Sequence, residues 1–199
     1  PRFYPIFDHT DWLRRLLPLG VTLVQLRIKD LTGEALLDQV VQAQSLCRTH
    51  GATLVVNDHW QAAIDAGCEW VHLGQEDLDT ADIAALRRAG LKLGLSTHDH
   101  AELDRALTHA PDYVALGPVY PTILKKMKWH EQGLDKLTEW KRLIGDIPLV
   151  AIGGMSVERA RSAYAALCPN SGRQVRTGLR RRMSWWSALA GWLHPCCNI

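Results

Sequence analysis

The sequence predicts an α/β fold, a (β/α)₈ TIM barrel in which the eighth βα unit is missing or altered. Short apolar, β-branched segments alternate with amphipathic segments along most of the 199-residue chain, which is typical of a parallel sheet covered by helices. The strand segments are apolar on both faces, as expected for strands buried on both sides. Polar residues recur at the strand ends, and a barrel brings those ends to one mouth. A doubly wound sheet is the alternative, but it would spread them along an edge.

Seven segments are predicted as strands, and helical patterns fill most of the gaps between them. Apolar residues of the helical segments recur at spacings of three and four, which places them on one helix face. The predicted strands are residues 3–7, 21–27, 53–57, 70–73, 92–96, 113–117 and 149–152, and the predicted helices include residues 33–50, 80–89 and 99–109.

The chain divides into a barrel domain, residues 1–160, and an atypical C-terminal segment, residues 161–199. From Arg159 onward there are seven Arg, no Lys and no acidic residue, which gives +7 and leaves −5 for the rest at a net charge of +2. The end is also rich in Trp and Cys. This abrupt change indicates a shifted reading frame or an altered C-terminus. A natural amphipathic helix over residues 183–193 is the alternative.

Composition narrows the class of protein. Hydrophobic residues make up 47%, which is typical of a globular protein, and no apolar run approaches the length of a membrane span. No secretory signal is visible, and the cysteines have no regular spacing, so we expect reduced thiols in a cytoplasmic protein. The body has no basic stripe for nucleic acid. The expected partners are small molecules, without nucleic acid or membrane, and a homo-oligomer is left open.

The stretch QLRIKD, residues 25–30, ends the second predicted strand with two cations. In a strand Gln25, Arg27 and Lys29 point the same way. The Arg fork and the Lys point charge both suit phosphate oxygens. The alternative is that these cations pair with Asp30 or Glu34 at the surface.

Two acidic residues, Asp58 in NDHW and Asp77 in GQED, follow neighbouring predicted strands. Carboxylates facing one another would repel unless a hard cation lay between them, and Mg²⁺ accepts a few carboxylates and keeps positions for phosphate oxygens. The alternative is that each acid caps the helix that follows it. Glu76 is a further candidate ligand. No HxH or CxxC pattern is present, which argues against zinc.

Other features of the strand ends are weaker signals. His59 and His72 are candidate acid–base groups, although a His inside WVHLG is more typical of a packed residue. The segment GPVYPTILKKMKWHEQG, residues 117–133, is a loop that could cover a site and supply Lys125 to a phosphate. The segment AIGG is followed by Ser156, a predicted N-cap, and a phosphate at such a helix start is a recurring arrangement.

Taken together, these clusters resemble the thiamine-phosphate synthase family over about residues 4–159. The motifs that carry the resemblance are QLRIKD, NDHW, HLGQEDLD, GLSTH, the GPVYPT loop with its Lys, and VAIGGM. The family is a (β/α)₈ barrel that uses Mg²⁺. It joins 4-amino-2-methyl-5-(diphosphomethyl)pyrimidine to 4-methyl-5-(2-phosphooxyethyl)thiazole, and it releases pyrophosphate.

The resemblance implies a role for each matching residue. The Mg²⁺ ligands would be Asp58 and Asp77. The thiazole phosphate would contact Thr122, Ile123, Leu124 and Gly154. No protein nucleophile is required. The pyrimidine diphosphate would be bound by Gln25, Leu26, Arg27, Ile28, Lys29, Asn57, Ser96 and Lys125.

Two departures from the family pattern bear on activity. Leu124 stands where the family usually has Thr, so a hydroxyl contact to the thiazole phosphate is lost. Near Gln174–Val175, where the family has an eighth apolar strand, no such strand is visible. A barrel without that strand would expose two edges, and we therefore expect poor stability and low activity. The rival interpretations are a remnant that binds only the pyrimidine diphosphate, a thiazole tautomerase-like relative and a ribulose-phosphate epimerase.

Overall fold

The computed structural model describes residues 3–122 and 129–168, and it also describes the backbone of residues 197–198. All strands lie in one parallel sheet, and neighbours in sequence are neighbours in the sheet. The strands are β1 (Ile6–Phe7), β2 (Leu23–Leu26), β3 (Thr53–Asn57), β4 (Trp70–Leu73), β5 (Lys92–Thr97), β6 (Tyr113–Leu116), β7 (Leu149–Ala151) and β8 (Cys197–Asn198).

Helices connect successive strands, as a parallel sheet requires. They are α1 (Thr10–Leu16), α2 (Gly33–Thr49), α3 (Trp60–Asp65), α4 (Ile83–Arg88), α5 (His100–Thr108), α6 (Gly133–Ile144) and α7 (Val157–Leu167). Short 3₁₀ turns at Leu17–Leu19 and Asp77–Asp79 complete the described elements. None of the helices in the described ranges is both long enough and apolar enough to cross a membrane.

The strand register defines a curled sheet of the TIM-barrel kind. Leu23 pairs with Thr53, and Val55 pairs with Trp70, each in parallel. Further round, Gly94 lies beside Tyr113. At the last edge β8 pairs with β7 through Leu149 and Cys197. Within the described residues no pairing joins β8 back to β1.

The two faces of the sheet differ in chemistry. Alternate residues such as Val56, Leu95 and Leu116 face the helices and form the two larger apolar clusters of the core. The intervening residues face the inside of the curled sheet, where Tyr113, Ala115 and Val150 form a smaller cluster. Three polar side chains are also buried among these inward positions: Gln25, Asn57 and His72. The apolar helix-facing side therefore stabilises the fold, and the inner side is free to carry polar chemistry.

The predicted strands and helices are confirmed, with shorter bounds at some ends. The first strand covers only Ile6–Phe7 of the predicted residues 3–7, because only these two residues come into register with β2. The predicted helix 80–89 begins at Ile83, where Asp82 caps it by accepting a hydrogen bond from the N–H of Ala85 at 2.8 Å. The expected site of an eighth strand near Gln174–Val175, and the alternative helix 183–193, lie outside the described residues.

Candidate active site

Asp58 and Asp77 meet at the carboxyl end of the sheet, as their positions after β3 and β4 predict. The pKa of Asp58 is raised, first by burial and then by the charge of Asp77 and a hydrogen bond to that carboxyl. Arg27 and Lys29 act on the same pKa in the opposite direction. The four charged groups therefore share one mouth. Two carboxylates held this close favour a cation or a proton between them.

Asp58 does not cap a helix. Its φ of 62° lies in the left-handed region, which is uncommon for a residue other than glycine, although Asp adopts it more often than most. Its N–H donates to the carbonyl of His72 at 2.9 Å, which ties the end of β3 to β4. The residue at the N-cap of α3 is His59, and its side chain makes no capping hydrogen bond. The strained backbone directs the carboxylate of Asp58 towards Asp77 instead.

Asp77 is positioned by the turn that follows β4. Its Oδ2 accepts the N–H of Gly74 at 2.8 Å, and the residue opens a 3₁₀ turn, while Asp82 caps α4. The N-cap interpretation of Asp77 is therefore wrong. Glu76 is exposed and stands next to this turn. Among the described residues, no group of three or more His, Cys, Asp or Glu side chains is placed to hold a metal ion, so the acidic site consists of the Asp58 and Asp77 pair.

The QLRIKD segment presents its cations at the mouth and its apolar residues to the core. Leu26 and Ile28 are 1% and 2% exposed and lie in the larger apolar cluster. Arg27 is half-buried and Lys29 is exposed. Within residues 3–122 and 129–168 neither cation has a hydrogen bond or an ion pair with a protein group. The alternative, in which Arg27 and Lys29 pair with Asp30 or Glu34, is not observed in these residues. Both positive charges are therefore available to bind an anion.

A hydrogen-bonded chain of polar side chains crosses the inside of the curled sheet. Gln25 Nε2 donates to the Tyr4 hydroxyl at 3.0 Å, and that hydroxyl lies 3.0 Å from the hydroxyl of Tyr113. The Tyr113 hydroxyl is 2.8 Å from Nδ1 of His72, whose Nε2 is 2.8 Å from the hydroxyl of Ser96. The chain thus joins Gln25 of β2 to Ser96 of β5, two residues that the sequence assigns to one site.

Burial sets the protonation states of the side chains in this hydrogen-bonded network. It lowers the pKa of His72 to about 4, and it raises the pKa of Tyr4 to about 12 and that of Tyr113 well above its ordinary value. All three groups are therefore neutral at neutral pH. His72 is a satisfied, packed residue, as its sequence context predicts. A neutral imidazole donates from one nitrogen and accepts at the other, so it fixes the hydroxyl hydrogens on both sides.

Two side-chain amides at the mouth each have one buried polar atom without a hydrogen bond. In the described part of the chain, Nδ2 of Asn57 and Oε1 of Gln75 have no hydrogen-bond partner. Asn57 is 4% exposed, and Gln75 is held through Nε2, which donates to the carbonyl of Ser96 at 2.7 Å. A buried unpaired donor or acceptor costs about 1–3 kcal/mol, so both atoms are positions at which a water or a ligand would bind. The sequence predicted Asn57 but missed Gln75, Tyr4 and Tyr113, although Gln75 stands inside GQED.

The loops after β6 and β7 form a second part of the mouth. The N–H of Val119 donates to the carbonyl of Ile152 at 2.8 Å. Gly154 has φ 66°, and a Cβ there would stand less than 3.0 Å from the carbonyl oxygens of Tyr120 and Pro121. Thr122 is described and half-buried, whereas Ile123, Leu124 and Lys125 lie outside the described residues. Only glycine permits this approach of the two loops.

Three further histidines near the strand ends have structural partners. His59 Nε2 lies 2.8 Å from the carbonyl oxygen of Ile28. His98 contacts Glu102 at 2.7 Å and stacks on Trp129. His100 is the first residue of α5 and contacts Glu139 at 2.7 Å. None of these three histidines is placed as an acid–base group of the site. The candidate site therefore consists of the Asp58–Asp77 pair, the cations Arg27 and Lys29, and the buried polar network from Gln25 to Ser96.

A curled parallel sheet with an acid pair and two cations at its carboxyl end is the arrangement of a TIM-like fold, whose functional sites lie at this end of the sheet. The chain matches the model of the family described as thiamine monophosphate synthase over residues 4–169. It belongs to that family.

Relatives and solved structures agree with this assignment. The chain is 53% identical over 196 residues to thiamine-phosphate synthase of Rhizobium etli, which covers 96% of each chain. It is 48% identical over 164 residues to the Neisseria meningitidis protein of that name, covering 82% of this chain and 80% of the relative. The thiamine phosphate pyrophosphorylase structure from Pyrococcus furiosus aligns with a TM-score of 0.72 at 28% identity, covering 82% and 80% of the two chains. FabK from Thermotoga maritima, at 14% identity and a TM-score of 0.61, shares the fold alone.

Proposed function

We propose that this chain catalyses the Mg²⁺-dependent condensation of 4-amino-2-methyl-5-(diphosphomethyl)pyrimidine with 4-methyl-5-(2-phosphooxyethyl)thiazole, which yields thiamine phosphate and pyrophosphate. Family membership supports the reaction. The observation that carries the assignment to this site is the Asp58–Asp77 pair, whose Asp58 carboxyl interacts electrostatically with Arg27 and Lys29. In the described ranges neither of these cations forms a side-chain hydrogen bond or a close ion pair. This distribution of charge suits a diphosphate and a divalent ion together.

The donor set fits Mg²⁺. Two carboxylates offer the oxygen ligands that this hard ion takes from proteins, and Mg²⁺ completes its shell with water and substrate phosphates. The pKa of Asp58 is raised even though Arg27 and Lys29 act to lower it. The protein's own cations therefore do not fully neutralise the two carboxylates. Asp58 and Asp77 would hold the ion. When bound, it would supply positive charge that stabilises a departing pyrophosphate.

The protein groups around the acids would stabilise the leaving group and orient the pyrimidine. In the reaction that the family resemblance implies, the pyrimidine amino group pushes out pyrophosphate, and the thiazole nitrogen attacks the resulting cationic methylene. Arg27, Lys29 and Lys125 would neutralise the charge that develops on the diphosphate. Asn57, with its free Nδ2 donor, and the Ser96 hydroxyl would hold the pyrimidine diphosphate, together with Gln25 and the backbone at Leu26 and Ile28. This assignment needs no protein nucleophile.

The thiazole phosphate would lie at the loops after β6 and β7. Gly154 brings its backbone close to the first loop, and Thr122 adds a hydroxyl. Ile123 and Leu124 would contribute backbone N–H groups, since neither side chain can donate. The two substrates would then face each other across the mouth, and holding them in this orientation would supply much of the rate enhancement.

The test of this proposal is the double variant Asp58→Ala/Asp77→Ala. We expect calorimetry to show loss of Mg²⁺-dependent affinity for the pyrimidine diphosphate, and assays to show loss of thiamine phosphate formation. Asp82→Ala is the matched control. It also removes a carboxylate, but one that caps α4, so it should cost about 1 kcal/mol of stability and leave the affinity unchanged. Metal-dependent affinity that survives the double substitution would refute the proposal.

A second candidate is a remnant that binds the pyrimidine diphosphate without turning it over. The acid-free composition of residues 161–199 and the Leu124 substitution favour it, because a missing or altered eighth βα unit would weaken the thiazole phosphate site. The alignment with the Rhizobium etli relative extends into residues 161–199, and this favours the active enzyme. Calorimetry with each substrate separately distinguishes the two, since the remnant would bind only the pyrimidine. A Gly-Ala-Asp turn and an apolar strand encoded in another frame beyond codon 160 would identify a shifted reading frame.

A further inference from the structure

The loops that follow β6 and β7 are joined by backbone hydrogen bonds. The N–H of Val119 donates to the carbonyl of Ile152 at 2.8 Å, and the N–H of Tyr120 donates to the carbonyl of Gly153 at 3.2 Å. A Cβ on Gly153 would stand 2.7 Å from Cα of Pro118. The two loops therefore form one unit. Under the proposed function, on which this inference rests, that unit receives the thiazole phosphate.

Arg159, in the first turn of α7, contacts both loops. Its Nη1 donates to the carbonyl of Gly154 at 2.6 Å. Its guanidinium carbon lies 4.9 Å from the centroid of the Tyr120 ring, a distance that permits a cation–π interaction. The backbone N–H of Arg159 donates to the hydroxyl of Ser156 at 3.3 Å, so the helix start holds the residue in place. One planar side chain thus connects α7 to both loops, which is a use that suits Arg better than Lys.

The hydrogen bond to Gly154 sets the direction of a peptide group. A trans peptide is planar, so a carbonyl of Gly154 that points towards Arg159 makes the N–H of Met155 point the opposite way. Within residues 3–122 and 129–168, the N–H groups of Gly154 and Met155 have no acceptor. The φ values of 89° at Gly153 and 66° at Gly154 place these residues in the left-handed region, where successive N–H groups can form a concave anion site.

We propose that Arg159 is a positioning residue that fixes the Gly154–Met155 peptide, and with it the backbone donors offered to the thiazole phosphate. The residue acts through the loops and needs no contact with the ligand. Neither the Asp58–Asp77 pair nor the buried chain touches Arg159 in the described structure. Replacing Arg159 should therefore weaken binding of the thiazole phosphate and leave binding of the pyrimidine diphosphate unchanged.

The first measurement is steady-state kinetics of Arg159→Ala, with Arg161→Ala as the matched control. Arg161 lies on the same helix, and its side chain forms no hydrogen bond or ring contact with the described residues; among them its charge acts only on the exposed Glu158 of that helix, whose pKa is lowered chiefly by a hydrogen bond to its own backbone and also by Arg161. We expect Arg159→Ala to raise the KM for the thiazole phosphate about fivefold, the effect of losing one hydrogen bond of about 1 kcal/mol. The KM for the pyrimidine diphosphate should stay within about twofold of wild type. Arg159→Lys should fall between, because Lys can reach the Gly154 carbonyl but cannot lay a planar group on Tyr120.

The second measurement is the NMR order parameters of the backbone amides of residues 151–158 in ligand-free protein, which do not depend on turnover. Lower order parameters at Gly154 and Met155 in Arg159→Ala, but not in Arg161→Ala, are the expected result. Unchanged order parameters would overturn the inference, even if the KM rose, because Arg159 would then act by touching the phosphate itself. An equal rise in both KM values would also overturn it. Wild-type protein that forms no thiamine phosphate would refute the proposed function, whereas the order parameters would still decide whether Arg159 orients this peptide.

Discussion

The contact between Gly94 and Tyr113 provides a quantitative test of the buried polar chain. Gly94 lies beside Tyr113 in the register of β5 and β6, and a Cβ on Gly94 would stand less than 3.0 Å from two ring carbons and the hydroxyl oxygen of Tyr113. Tyr113 is only 5% exposed, so the ring cannot move into solvent. Gly94 has no positive φ, and Ala could adopt its backbone without strain. Gly94→Ala therefore tests the steric contact alone.

The expected cost of Gly94→Ala has two parts. Overpacking of a buried site costs about 1–3 kcal/mol. Displacing the ring also breaks the hydrogen bonds that its hydroxyl shares with the Tyr4 hydroxyl and with Nδ1 of His72, each worth about 1 kcal/mol. We expect urea denaturation to show a loss of about 3–5 kcal/mol in the free energy of unfolding.

A double-mutant cycle separates this contact from other effects. In a Tyr113→Ala background the ring is absent, and the same Gly94→Ala change should cost less than about 1 kcal/mol. The coupling between the two positions should therefore exceed about 2 kcal/mol. Equal costs of Gly94→Ala in both backgrounds, or a single variant as stable as wild type, would refute the described packing inside the sheet.

Two further predictions concern pH and backbone conformation. Burial lowers the pKa of His72 from 6.5 to about 4, so the unfolded chain binds a proton before the folded one does. His72 should therefore contribute a loss of roughly 3 kcal/mol of stability as pH drops through that window, in addition to what the carboxyl groups contribute. His72→Gln, denatured over the same pH range, should lack this contribution, and an unchanged pH dependence would contradict the assignment. Gly154→Ala should lose at least about 2 kcal/mol and weaken thiazole phosphate binding, because it combines a positive φ with a backbone clash. Gly90→Ala, with φ 79° and nothing within 4 Å of its Cβ, is the control and should cost only about 1 kcal/mol.

The sequence by itself determined the βα order and the end of the sheet at which the candidate site lies. Strand segments such as residues 53–57 and 70–73 could be found because buried parallel strands are continuous apolar runs bounded by polar residues. The acids of the candidate site could be found because Asp58 directly follows such a run and Asp77 lies in the turn after the next one. Ser156 could be predicted as a helix cap because its hydroxyl acts on the neighbouring turn. In each case the signal lies within a few residues of the position it describes.

Tertiary structure decided which of these residues act on one another. Nothing in the local sequence of Tyr4 or Tyr113 shows that their hydroxyls lie 3.0 Å apart, since 108 residues separate them and only the curled sheet brings them together. The positive φ of Asp58 and the contact of Arg159 with Gly154 are likewise set by packing between loops. Local patterns fix where a strand ends, because burial and turn formation are local, whereas distances between strand ends depend on how the whole sheet curls.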